Sequence, residues 1–222
     1  MKVIITAATA AEWMPSVENI NPQYKGKTKR MQVFFRQTGV GMLSTAVALT
    51  KMVLQEKPDL VLQVGIAGCF NTKMRLGKLL VVKEEILGDM GVNENNQWKD
   101  IFDLKLEKES QEPFQKRKLN NPFLAQYNLL KLPEVKAITI NEISTNAQRI
   151  AQLKAKYHPV IESMEGAALH YVCKQNNTPF LQIRAVSNYV GERNKQNWKI
   201  QEAIIQLNNA IITYTNHLYQ MS

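Results

Sequence analysis

The chain has 222 residues, 45% of them apolar and 21% charged, and its 28 Lys and Arg outweigh 19 Asp and Glu for a net charge of +9. That is a globular composition, and it excludes a disordered, collagen-like or disulfide-scaffold chain. Roughly 70% of the extended surface can leave water at this size, enough for one core, and one domain over residues 1–222 is expected because no linker interrupts the sequence.

Residues 3–8 form a short, β-branched apolar run that predicts the first core strand. A secretory apolar core is the competing reading, but Glu12 falls where a cleavage site would lie, so a cytoplasmic chain is expected. Residues 31–38 alternate, with Val33, Phe35 and Gln37 against Gln32, Phe34 and Arg36, and predict a second strand. Gly39-Val40-Gly41 reads as a turn. With Ser44 it is a weak match to a dinucleotide fingerprint, since the third glycine is missing and the motif follows the second strand. A tight turn that allows close helix packing is the preferred reading. Residues 43–55 place Leu43, Ala46, Val47, Leu49, Val53 and Leu54 at helical spacing, and Pro58-Asp59 stops that helix.

Residues 60–64 predict a buried strand that ends in Gly65-Ile66-Ala67-Gly68, and residues 79–82 and 84–87 continue the sheet. Residues 89–133 are polar, contain three prolines and predict a long loop or insertion. Strands are then expected at 135–140, 160–161 and 180–186, with helices at 146–157 and 164–174. A terminal amphipathic helix over 198–218 carries Ile200, Ala203, Ile204, Leu207, Ala210, Ile211 and Tyr214 on one face. Strands alternating with helices imply a mostly parallel α/β sheet covered on both faces.

No run of about 18 apolar residues predicts a membrane span. Cys69 and Cys173 form neither a CxxC nor a metal pattern and are read as reduced thiols. His158, His170 and His217 are far apart, so no metal cluster is expected, and a G-x-S-x-G elbow is absent. The basic groups at 25–30 and 116–118 read as solvated loops without interleaved aromatics, which points away from nucleic acid. A basic surface that draws in anionic small molecules is consistent with the charge.

In open α/β sheets ligands bind beyond the carboxyl ends of strands. Those positions hold Glu12, Gly65 to Gly68, Asn141-Glu142, Met164-Glu165 and Ser187-Asn188, with Arg184 inside the last strand. Glu165 at a helix start reads as a cap or as a ligand, and Glu12 alone reads as an ordinary loop acid. Their place on the fold raises both. Two carboxylates in separate environments suit hydrolysis of a glycosidic bond, one holding sugar hydroxyls and the other taking a proton from water.

Several of these elements form an ordered set. It comprises Met1 to Ile5 followed by Glu12, then Gly39-Val40-Gly41, Pro58-Asp59, Gly65-Ile66-Ala67-Gly68, Ser163-Met164-Glu165-Gly166-Ala167-Ala168 and Arg184-Ala185-Val186-Ser187-Asn188. Over essentially the whole chain this order resembles the nucleoside phosphorylase and nucleosidase superfamily. Within it, residues 88–92 with 97–100, 161–166 and 187–194 are most similar to the futalosine hydrolases. The resemblance implies a single-domain three-layer sandwich with a mixed, mostly parallel sheet. It also implies a homodimeric N-ribosyl hydrolase that needs no metal or cofactor and takes a purine nucleoside, with no nucleic acid or membrane partner. By the same resemblance Glu12 activates the attacking water, Arg184 orients that carboxylate and the water, Met164 and Glu165 lie under the ribose, and Asn188 faces N7 of the base. Gly65, Ala67, Gly68 and Ser187 join the substrate-binding set, and Glu142 is a candidate acceptor for N1–H of hypoxanthine.

Adenine-specific relatives carry Asp where Asn188 stands. An ionised Asp would repel the O6 carbonyl of hypoxanthine, whereas an amide can donate to O6 and accept from a protonated N7. Asn188 therefore points to a 6-oxopurine, although an amide cannot supply the N7 proton. Two further departures are Ile66 in place of a hydroxyl residue and Ser163 in place of an acid. The glycine turns offer no Arg to cradle phosphate, so water is the expected nucleophile. Arg193, Lys195 and the basic 89–118 segment are candidates for the far carboxylate of futalosine. Another purine nucleosidase or phosphorylase, acting on methylthioadenosine or inosine, is the same-class alternative, and a non-catalytic nucleoside-binding protein is the other.

Overall fold

The computed structural model describes residues 1–20 and 30–221, so most of the basic group at 25–30 lies outside the described residues. In chain order the elements are β1 (Lys2–Ala7), α1 (Met14–Asn19), β2 (Gln32–Gln37), α2 (Met42–Glu56), β3 (Leu60–Cys69) and β4 (Leu79–Leu87). A hairpin of β5 (Gly91–Glu94) and β6 (Gln97–Asp100) follows, then β7 (Leu119–Asn120), α3 (Leu124–Tyr127), β8 (Glu134–Thr139) and α4 (Ala147–Tyr157). The chain continues through β9 (Ile161–Ser163), α5 (Gly166–Gln175), β10 (Phe180–Tyr189) and α6 (Ile200–Met221).

Strands β2, β1, β3 and β10 pair in parallel. β10 then pairs antiparallel with β4, β4 runs parallel to β8, β8 runs parallel to β9, and β9 returns antiparallel to β3. The sheet is mixed and closes a ring through β3, β10, β4, β8 and β9. On one edge β3 serves two neighbours in turn, pairing with β1 over residues 60–63 and with β9 over residues 68–69. Among the described residues no strand pairs with residues 64–67 on that edge, which opens a gap in the ladder.

Strand alternation sorts the core between two helical layers. Val3, Ile5, Leu60, Leu62, Leu181 and Ile183 pack with Ala203, Leu207, Ile211 and Tyr214 of α6. Ile4, Val61 and Phe180 turn the other way, onto Leu49 and Val53 of α2 and Leu169 and Val172 of α5. Each such aliphatic side chain contributes ~2 kcal/mol on leaving water.

The α5 face also buries polar groups. Glu85 is fully buried, with its carboxylate accepting from Gln182 Nε2 at 2.9 Å and from Thr139 Oγ1 at 3.0 Å. Thr139 Oγ1 in turn accepts from Ala167 N–H at 2.7 Å, so the chain of bonds fixes the first turn of α5. Burial pushes the Glu85 carboxyl up to about 7, against the pull of Gln182, Arg184 and Thr139. Gly166 is obligatory here, because a Cβ on it would lie 1.7 Å from Glu85 Oε1.

Three expectations need correction. The polar 89–133 segment is not a structureless loop. Asn95 and Asn96 both adopt positive φ (49° and 62°), the geometry that closes a two-residue hairpin, and they join β5 to β6. Phe102 and Phe114 then fasten the segment to Leu87, Leu119 and Ala167. The 116–118 basic group is not simply solvated, since Arg117 pairs with Asp103 (2.6 Å) and Glu109, and Lys118 pairs with Glu84 at 3.0 Å. In α2 the buried residues are Thr45, Leu49, Met52 and Val53, whereas Leu43 is 79% exposed and Val47 and Leu54 also face outward. Cys69 and Cys173 are free and buried. No helix among the described residues is long and apolar enough to cross a membrane.

Candidate active site

A cavity of about 390 Å³ opens at the carboxyl ends of β1, β3 and β10, beside the splayed edge of β3. Glu12, Ala67, Gly68, Met164, Glu165, Ser187 and Asn188 line it. The fold thus brings seven of the ten sequence-derived site residues to one wall. Gly65 and Arg184 lie just behind that wall, and Glu142 is placed elsewhere.

Glu12 closes a 3₁₀ turn (Ala10–Glu12) directly after β1. Its Oε2 accepts from Thr9 N–H at 3.0 Å and lies 3.2 Å from Thr9 Oγ1, a reciprocal cap that fixes the carboxylate. Its Oε1 accepts from Ile66 N–H at 3.2 Å. That N–H is free to do so because residues 64–67 have no strand partner on this edge.

Glu165 follows β9 and precedes α5. Its carboxylate does not cap its own helix. It accepts instead from Gly41 N–H at 3.1 Å, on the turn that starts α2. Gly39 and Gly41 adopt positive φ (84° and 90°), which side-chain-bearing residues rarely do, and the turn can therefore aim that N–H at the acid.

Arg184 is 1% exposed. It was expected to orient Glu12, but its carboxylate partner is Glu165, with Nη2 3.6 Å from Oε2, and the same nitrogen donates to Gln63 Oε1 at 2.8 Å. The register explains this. Arg184 pairs opposite Gly65 in the β3–β10 ladder, and a Cβ on Gly65 would lie 2.1 Å from Arg184 Nη1 and 3.0 Å from Glu12 Oε1. The missing side chain at position 65 leaves room for the guanidinium to pass between the two acids.

A bulge between Val186 and Asn188 interrupts the β3–β10 register. Such bulges re-aim the side chain that follows. Ser187 Oγ lies 2.8 Å from Asn188 Oδ1, and Asn188 Nδ2 donates to Tyr189 O at 3.1 Å, which fixes the amide's orientation and leaves one proton and one lone pair for the cavity.

Glu142 does not join the group. It is exposed, its N–H donates to Asp89 Oδ2 at 3.0 Å, and it lines a neighbouring cavity of about 280 Å³ with Trp98 and Arg149. Asn141, tied to the same Asp89, turns the loop outward after β8. Trp198 and Glu162 also line the main cavity and escaped the sequence reading. Trp198 lies in a polar stretch before α6, and its ring carries Arg193 at 5.6 Å. Glu162 could have been found as an ionisable residue inside a short buried strand.

Arg36, which precedes the first glycine turn, is held in a two-pronged pair with Glu56 at 3.0 Å on each arm. Among the described residues no group of three or more His, Cys, Asp or Glu could hold a metal ion.

Layers, ring closure and a cleft at the strand ends define a nucleoside phosphorylase-like α/β protein. The model of the phosphorylase superfamily matches residues 6–218, and the chain belongs to that superfamily. It is 26% identical over 184 residues to the futalosine hydrolase of Thermus thermophilus, covering 80% of this chain and 78% of that one. It is 24% identical over 212 residues to the 5'-methylthioadenosine/S-adenosylhomocysteine nucleosidase of Staphylococcus haemolyticus, covering 83% and 86%. The solved structures it matches include a nucleosidase of the latter kind from Colwellia psychrerythraea in complex with adenine (TM-score 0.79, 20% identity, 98% and 96% covered). A futalosine hydrolase mutant of Helicobacter pylori matches with TM-score 0.80 at 16% identity, covering 97% and 99%.

Proposed function

We propose that this chain hydrolyses the N-glycosidic bond of a purine nucleoside with a 6-oxopurine base, and that the nucleoside is futalosine. Hypoxanthine and dehypoxanthine futalosine are the products. The observation that carries the reading is the amide of Asn188 in a cavity that also holds two separately anchored carboxylates.

The ribose lies over Met164, and Glu165 accepts from its hydroxyls. Arg184 holds Glu165 in place, and the carboxylate stabilises the oxocarbenium-like sugar. Glu12 takes a proton from water, whose oxygen bonds to C1′ as the C1′–N9 bond breaks. Asn188 donates to O6 and accepts from N7–H of the departing base. Arg193, exposed on the ring of the cavity-lining Trp198, is our candidate cation for a carboxylate at the far end of the substrate.

Base release from futalosine, inosine and methylthioadenosine, followed by reversed-phase chromatography with and without phosphate, tests this. Hypoxanthine released from futalosine without phosphate is the expected result. A requirement for phosphate would defeat the hydrolase reading. Preferential release of adenine from methylthioadenosine would favour the second reading, a methylthioadenosine/adenosylhomocysteine nucleosidase, which the Staphylococcus relative supports.

Asn188→Asp bears on base choice. An ionised carboxylate repels O6 and accepts from an exocyclic amine, so the ratio of 6-oxopurine to 6-aminopurine kcat/KM is expected to fall by ~10²-fold or more. An unchanged ratio would remove the role given to this amide.

A further inference from the structure

The reading above leaves the N7 proton without a source, because an amide cannot give one. The structure places one unassigned acid beside Asn188. Glu162 on β9 pairs opposite Gly68 of β3, and Gly68 pairs opposite Asn188 of β10. The three residues form one row across three strands, with the glycine in the middle. Gly68 leaves a notch between the two side chains. Around the point a Cβ on Gly68 would occupy stand Val190 Cγ2 at 3.3 Å and Glu162 Cγ and Asn188 Nδ2 at 3.5 Å each, so the side chains of Glu162 and Asn188 converge on one spot.

Glu162 lines the cavity and is only 6% exposed. Its Oε2 is buried without a hydrogen-bond partner. A buried carboxyl oxygen with no partner among the described residues is costly, and such an atom calls for a catalytic role, a water or an ion to account for it. Burial pushes this carboxyl up to about 7, Ser144 pulls it down through its hydroxyl and main-chain N–H, and the Asp89 charge pushes it up again. The neighbours across the sheet, Gly68, Ile138 and Asn188, carry no charge. The thiol of Cys69, one residue further along β3, is itself raised by burial and stays neutral. Glu162 can thus hold a proton at neutral pH and release it on demand, which is what a general acid requires.

We infer that Glu162 is the acid that protonates the departing purine, its carboxyl proton passing to N7 as the C1′–N9 bond breaks. The inference rests on the nucleosidase reading. The electron pair of C1′–N9 stays on the base, the proton from Glu162 makes that base neutral, and the hydroxide equivalent from water goes to C1′ while the second water proton goes to Glu12. Proton exchange with solvent then restores both acids.

The test compares wild type and Glu162→Gln on inosine or futalosine and on 4-nitrophenyl riboside, whose leaving group departs as a stable anion and needs no proton. For wild type on the purine nucleoside, kcat is expected to fall as pH rises through about 7, as the carboxyl loses its proton. That limb is expected to be missing with the nitrophenyl riboside. Glu162→Gln should lower kcat on the purine nucleoside by ~10²-fold or more, remove the limb, and leave nitrophenyl riboside hydrolysis within about threefold, as expected when only proton donation is lost. Equal loss on both substrates, or a limb that persists in the variant, would overturn the assignment. Should the variant not fold, absence of the limb from wild type overturns it alone. A wild type that releases no purine at all sinks the nucleosidase reading, and the inference with it.

Discussion

Glu12→Gln is expected to cut turnover by ~10²-fold or more while nucleoside and base binding stay close to wild type. A proton-accepting carboxylate is worth about that factor when its job is general base catalysis. The substitution is close to isosteric, so it isolates the charge. It also has a structural cost that can be foreseen. Two main-chain N–H groups, from Thr9 and Ile66, converge on the two oxygens of this carboxylate. A glutamine has one oxygen and one NH₂, and whichever way it flips, one of those donors faces another donor. An unsatisfied buried donor costs about 1–3 kcal/mol. The melting temperature should therefore fall by roughly 2–12 °C, given about 2–4 °C per kcal/mol for a chain of this size. Single-turnover base release measures the first effect, and calorimetric titration with hypoxanthine measures retained binding. A variant that turns over within tenfold of wild type would leave water activation without its base.

Gly65→Ala is expected to disable the site from beneath. The new methyl would lie 2.1 Å from Arg184 Nη1, too close for any real contact, and a tight 3.3 Å from its Cζ. The guanidinium cannot swing away freely, because it is buried and held by Gln63 and Glu165. Leaving a buried charge without its partner costs about 3–5 kcal/mol. We expect the melting temperature to drop by roughly 10 °C and kcat/KM to fall by ~10²-fold or more, since a 1 Å misplacement of positioning groups has that scale of effect. Thermal melts and base-release kinetics read the two separately. A stable, active Gly65→Ala enzyme would show that Arg184 does not need this passage.

The fold was legible because its strands are short, β-branched runs whose ends carry the chemistry. Ile4 against Val3 and Ile5 already encodes a sheet covered on both faces. The 89–133 segment was misread because its hairpin turn is Asn95-Asn96, without the glycine that usually announces positive φ. Leu43, Val47 and Leu54 fit the helical period of α2, yet periodicity alone does not say which of two apolar stripes meets the sheet. At the site, the acids and the amide could be read as residue types, and their convergence on one cavity follows from strand order. The partner of Arg184 could not be read, because it depends on which row of a ladder faces a glycine. Glu142 could not be placed either, because Asp89 holds its main chain on an exposed loop.

The open edge of β3 has a consequence for how this site can vary. One of the two main-chain donors that steady Glu12 is a peptide group of Ile66, fixed by the path of the chain and indifferent to the side chain borne there. Position 66 can carry an aliphatic residue where the superfamily resemblance calls for a hydroxyl, and the acid keeps its anchor. Proline, the one residue without an N–H, is the substitution that would remove this anchor and leave Glu12 held by Thr9 alone.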